Sequence, residues 1–169
     1  MNENAQRVVE ALLERGWILA TAESCTGGLV SEKITEVPGC SAVFTCGVCS
    51  YANEIKESVL GVRPETLMRY GAVSPQTARE MATGVRRLAG ADIGISTTGI
   101  AGPGGGSAEK PVGLVYIAVD SDSFCTVEKL LLDPMQIRTR QEIREDAAER
   151  VLALALRAMS GGSESEKNF

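Results

Sequence analysis

The spacing of apolar residues switches repeatedly between a helical and a strand period along this chain, and that alternation limits the fold more than any other feature. Ala5, Val8, Val9, Leu12 and Leu13 fall at i, i+3, i+4, i+7 and i+8, one face of a helix that Gly16 closes. WILATAE (17–23) reads as a short buried strand. Leu29, Val30, Ile34 and Val37 mark a second helix, stopped by Pro38-Gly39. Residues 42–51 predict a longer strand, Asn53 the N-cap of a short helix closed by Gly61, and Pro64 a further helical piece ending at Gly71. Ser74 followed by Pro75 is a strong helix start, and Ala78, Met81, Ala82, Val85 and Leu88 give that helix its apolar stripe. A buried strand over 91–99 comes next, then strands over 114–120 and 124–133 that form a hairpin across Ser121-Asp122, then a helix over 136–159. Alternation closed by a hairpin implies the α/β class, as a three-layer α/β/α sandwich around a mixed, mostly parallel sheet. A length of 169 residues suits one domain, placed at 1–160, with the polar GGSESEKNF (161–169) expected to be a disordered tail.

Histidine is absent. That excludes Ser-His-Asp triads, Cys-His nucleophile pairs and His-ligated metal sites, so any catalysis must draw on other acids and bases. The 17 basic residues are outnumbered by 22 acidic ones, for a net charge of −5. Arg138, Arg140, Arg144 and Arg150 are interleaved with Glu142, Glu145, Asp146 and Glu149, which reads as a salt-bridged helix face. A nucleic-acid partner is not expected from this balance. No apolar run reaches the roughly 20 residues of a membrane span, and MNENAQRVVE lacks a secretory pattern, so a cytoplasmic protein is expected. Five cysteines fit a reducing compartment. Cys46 and Cys49 stand three apart in a strand pattern and so face opposite sides, which suits buried structural thiols better than a zinc or redox pair. No metal and no cofactor is called for.

Two loops follow strands of the sheet, where ligands of open α/β folds bind. TAESCTGG (21–28) places small hydroxyl residues and paired glycines at a helix start, exposing N–H groups suited to an anion or oxyanion. TTGIAGPGGGS (97–107) fits neither a Walker A loop nor a G-x-G-x-x-G fingerprint, and a plain surface connection is the alternative. A serine nucleophile without histidine takes its base from lysine, which must be held neutral. With Asn53 as cap, Lys56 falls in the first helical turn, where the dipole disfavours an ammonium; the other reading is a solvated surface lysine. Cys25, next to Ser24 and also near a helix start, is the rival nucleophile. Tyr51 can hydrogen-bond the site or merely pack there, and Lys110 can reach a phosphate or stay in solvent.

TAESCTGGL (21–29), SYANEIK (50–56), GAVS (71–74) and TGIAGPGGGSAEKPVG (98–113), in that order, resemble the CinA C-terminal domain family over residues 5–159. The family includes stand-alone nicotinamide-nucleotide amidohydrolases of the PncC type. The resemblance implies hydrolysis of nicotinamide mononucleotide to nicotinate mononucleotide and ammonia, in pyridine-nucleotide salvage, at a Ser-Lys amidase site. Carried over by motif, Ser24 is the nucleophile, Lys56 its base and Tyr51 a third catalytic residue. Thr26, Gly27 and Gly28 are expected to hold the oxyanion, and Thr98, Gly99, Gly102, Gly104 and Gly105 the ribose and phosphate. Arg140 and Arg144 meet an arginine-x-x-aliphatic-arginine pattern, with Arg140 as a phosphate contact, although Thr139 replaces the acidic residue that often precedes it. The alternative function is a catalytically silent pyridine-nucleotide-binding module. Pairing between copies of the chain stays open.

Overall fold

The computed structural model describes residues 2–161, and within them six α-helices and five strands follow one another in chain order. Helix α1 (Glu3–Arg15) begins at Asn2, whose side chain accepts the Ala5 N–H. It ends at Gly16, in the left-handed region at φ 63°, whose N–H returns to the carbonyls of Leu12 and Leu13. Strand β1 (Leu19–Glu23) is buried at all five positions. After it come α2 (Leu29–Thr35), β2 (Phe44–Cys49), α3 (Asn53–Ser58), α4 (Pro64–Tyr70), α5 (Pro75–Ala89) and β3 (Ile93–Gly99). The chain closes with β4 (Leu114–Ser121), β5 (Cys125–Leu131) and α6 (Arg140–Gly161).

The sheet order is β2-β1-β3-β4-β5. Strand β1 pairs in parallel with both β2 and β3, while β4 runs antiparallel to β3 and to β5. Only β4 opposes the others, so the sheet is mixed with most strands in one direction, as the sequence implies. Helices α1, α2 and α6 share the larger apolar core on one face, and α5 packs across β1, β3 and β4 on the other. Close packing of α5 depends on Gly94, where a Cβ would drive into the Ala82 carbonyl and come within 2.8 Å of the Arg86 Cβ.

The last helix starts later than its periodicity predicts. Gln136 adopts φ 56°, and the Asp133 carboxylate accepts the N–H groups of Ile137 and Arg138, so a turn occupies the first residues of the expected helix. Thr139 and Glu142 then cap each other reciprocally. At the other end Gly161 still belongs to α6, and the rest of the expected polar tail lies outside the described residues. Among the described residues no helix is long and apolar enough to cross a membrane.

The topology decides where a ligand can sit. From β1 the chain crosses to β2 through α2 on one face, and from β2 to β3 through α5 on the other. Connections therefore diverge on either side of β1 and β3, which opens a crevice at the carboxyl ends of these strands. Glu23, Cys49 and Thr97 lie level there.

Candidate active site

A cavity of about 260 Å³ opens at that crevice. Ser24 and Cys25 line it from the turn after β1, Tyr51 and Lys56 from the segment after β2, and Ala72 and Val73 from the GAVS stretch before α5. Thr98 through Gly102, with Gly104 and Gly105, form the far wall, and Arg140 reaches in from α6. A larger cavity of about 660 Å³ lies on the other side of the glycine loop, lined by Pro103–Ala108, Pro111, Val112, Asp133, Gln136 and Arg138. Its arginine is already paired with Asp146 and the Leu132 carbonyl, and it holds neither Ser24 nor Lys56.

Lys56 is only 1% exposed, among the largest fully buried side chains of the protein. Its Nζ donates to the Ser50 carbonyl at 2.7 Å, to the Tyr51 carbonyl at 3.4 Å and to Ser24 Oγ at 3.2 Å. Two of these partners can only accept, whereas the third is a hydroxyl that can also donate. A neutral amine that keeps its two N–H groups on the carbonyls therefore aims its lone pair at Ser24. Burial pushes the Lys56 pKa below the ordinary lysine value.

The reason for that shift differs from the one read in the sequence. Ala52 precedes α3, and Asn53 is its first residue, with no capping side chain. Lys56 consequently falls in the last turn of a six-residue helix, where the dipole favours an ammonium. Removal from water, not the helix start, destabilises the charge.

Cys25 is not poised as a rival. Burial, helped by the negative charge of Glu23, pushes its thiol up to about 12. At neutral pH it is a protonated, 5% exposed core side chain. Cys46 packs half-buried on the apolar cluster under α5 and Cys49 is exposed, so the two thiols take opposite faces of β2 as the spacing implies, but neither is the fully buried thiol expected. Among the described residues no group of three or more Cys, Asp or Glu is placed to hold a metal ion.

The expected oxyanion turn is organised differently. Thr26, Gly27 and Gly28 do not line the cavity. The Gly28 N–H, with those of Val30 and Ser31, is spent on the carboxylate of Glu23, which is itself 1% exposed. An internal anion thus occupies the site that the glycines suggested for an external one. The Thr26 hydroxyl bonds Glu23 and Thr97, and its carbonyl accepts from Arg144 at 2.7 Å. Arg144 therefore clamps the turn from α6, a contact that the sequence pattern only hinted at.

Thr98 lines the cavity, but its hydroxyl is given to the Ala72 carbonyl at 2.7 Å, pinning the GAVS wall to β3. Gly99 begins the loop under tight limits, since a Cβ there would come within 2.6 Å of Val115 Cγ2 and 2.7 Å of the Leu114 carbonyl. Arg140 donates to the Gly102 carbonyl at 2.7 Å and to the Tyr51 hydroxyl at 2.8 Å. That contact places the 63% exposed Tyr51 ring at the cavity rim beside the guanidinium. Lys110 donates to the Tyr70 carbonyl at the end of α4, so it anchors the glycine loop and is neither in the cavity nor simply solvated.

The sequence profile of the CinA C-terminal domain matches residues 1–159. The chain belongs to this family. It is 57% identical over 138 residues to a protein of Caldanaerobacter subterraneus subsp. tengcongensis named for competence-damage inducibility, covering 82% of this chain and 34% of that one. It is 50% identical over 152 residues to a CinA-like protein of Kosmotoga olearia, covering 90% of this chain and 36% of that one. The chain thus spans about a third of the length of these curated relatives. Among solved structures, the competence/damage inducible protein CihA from Agrobacterium tumefaciens superposes with a TM-score of 0.88 at 42% identity, covering 94% of each chain. A competence or damage-inducible protein from Enterobacter asburiae gives 0.87 at 36% identity, covering 93% of this chain and 96% of that one.

Proposed function

We propose that this CinA C-terminal domain is a nicotinamide-nucleotide amidase that hydrolyses nicotinamide mononucleotide to nicotinate mononucleotide and ammonia. The observation that carries the reading is the buried Lys56 Nζ, held by two carbonyls and 3.2 Å from Ser24 Oγ, in a cavity whose rim bears Arg140. Neutral Lys56 takes the hydroxyl proton as Ser24 Oγ attacks the carboxamide carbon. The resulting ammonium passes its proton to the amide nitrogen, the C–N bond breaks, and ammonia leaves an acyl ester on Ser24. Water, deprotonated by Lys56, attacks that ester; carboxylate product departs and Ser24 regains its proton. With the Gly28, Val30 and Ser31 amides spent on Glu23, the oxyanion is met by amides of the cavity wall, at Cys25, Ala101, Gly102, Gly104 and Gly105. Arg140 grips the phosphate, exchanging its Gly102 and Tyr51 contacts for phosphate oxygens. The chemistry needs no cofactor, and the protein would work in the cytoplasm.

The test is incubation of the purified chain with nicotinamide mononucleotide, following ammonia and nicotinate mononucleotide together. Stoichiometric release of both is expected. Tight binding of the nucleotide without turnover would instead make the domain a silent binding module.

A further inference from the structure

Glu23 is joined by its peptide bond to Ser24 and linked through Ser50 to Lys56, and the sequence gives it no catalytic role. It ends β1 immediately before Ser24, with a carboxylate only 1% exposed. Oε2 accepts from the Thr26 hydroxyl at 2.6 Å and from the N–H groups of Gly28 and Val30 at 3.0 Å. Oε1 accepts from the Ser31 N–H and hydroxyl, both at 2.8 Å. These five donors fix the backbone that carries the chain away from the nucleophile. The peptide carbonyl of the same residue accepts the Ser50 N–H at 2.8 Å, and the Ser50 carbonyl in turn accepts from Lys56 Nζ at 2.7 Å. Ser24 itself is tied on the other side through its N–H to the Thr97 carbonyl at 3.0 Å.

We infer that Glu23 is a positioning residue: its carboxylate holds the Ser24 turn in register with Lys56, which its own main chain supports through Ser50. The assignment rests on Ser24 acting as the nucleophile proposed above. Burying a carboxylate is costly unless every lone pair is met, and a hydrophobic residue would fill this space more cheaply. What five donors add is a defined geometry for the residue next door, and a displacement on the order of 1 Å at a reacting atom costs about 100-fold in rate.

Glu23→Gln is the decisive change. It keeps the volume but sets an NH2 group against donors, leaving at least one buried N–H without an acceptor. Three readings are taken on wild type and variant: cooperative unfolding, kcat and KM for ammonia release, and the rate at which a fluorophosphonate probe labels Ser24. The expected result is a folded variant with kcat and labelling rate down about 100-fold and KM held. The acid limb of the pH profile should not move, because the carbonyls around Lys56 remain. Wild-type kcat and labelling in folded Glu23→Gln, or a loss carried by KM alone, overturns the inference. Should Glu23→Gln fail to fold, Thr26→Val and Ser31→Ala, which keep the carboxylate and its amide donors, must show smaller losses in kcat at constant KM. Wild-type rates in both would overturn it equally. A wild-type protein that labels at Ser24 but releases no ammonia refutes the amidase reading and leaves the labelling comparison to judge Glu23; one that does neither refutes both.

Discussion

Replacing Lys56 with methionine separates what this side chain does for chemistry from what it costs the fold. Methionine fills most of the space but offers no lone pair and no donor. Loss of a general base costs roughly 10²–10⁴-fold, so kcat should fall by at least about two decades, equivalent to ~3 kcal/mol of activation free energy. Stability changes through two opposing effects. The Ser50 and Tyr51 carbonyls lose their partner, and a buried group left unpaired costs about 1–3 kcal/mol. Against this, the fold no longer has to bury an amine that prefers to be charged. Because burial lowers the Lys56 pKa in the fold, the unfolded chain holds that proton more tightly. Wild-type stability must therefore rise with pH between the depressed folded value and the ordinary lysine value near 10.4, by about 1.4 kcal/mol for each unit of depression. Lys56→Met should lack this rise. Urea unfolding of both proteins across neutral to alkaline pH, beside ammonia release at each pH, measures both effects. A variant within about tenfold of wild-type kcat would refute the base assignment. An acid limb of kcat/KM at an unperturbed lysine value, about 10.4, or identical stability slopes in the two proteins, would refute the burial argument.

Other substitutions probe the remaining parts of the site. Cys25→Ala should keep turnover, since the thiol stays protonated far above neutral pH, and should cost stability through the lost buried sulfur; ammonia assays and thermal unfolding check both. Arg140→Met should raise KM for nicotinamide mononucleotide by roughly 10- to 100-fold, the worth of charge-assisted hydrogen bonds of about 1.5–3 kcal/mol, while affecting a dephosphorylated substrate far less. Gly94→Ala should destabilise the fold by about 1–3 kcal/mol through overpacking against α5, read as a lower urea midpoint.

Much of the architecture was legible because the local signals were unambiguous. Gly16 stops α1, Ser74 caps α5, and the β4–β5 hairpin turns at Asp122-Ser123, one residue beyond the expected Ser121-Asp122. Boundaries failed where a side chain intervened from outside the pattern, as Asp133 does in delaying α6. At the site, Ser24, Lys56 and Arg140 were named and are brought together, although they are far apart in the chain. Spacing shows which N–H groups the 24–28 turn offers but not that Glu23 already takes the one on Gly28. Glu23 was the missed signal: an acidic residue closing an otherwise small and apolar strand must be buried, and a buried carboxylate must collect donors. The lowered pKa of Lys56 has a different cause from the one the sequence suggests, because a lone asparagine cannot tell first helical residue from cap.

The proposed amidase mechanism makes Ser24 the nucleophile and Lys56 its base. Ammonia release from nicotinamide mononucleotide by purified Ser24→Ala, set beside wild type and Cys25→Ala, tests it most directly. Turnover should vanish in Ser24→Ala and persist in Cys25→Ala, with all three chains folded. Turnover that survives in Ser24→Ala would contradict it.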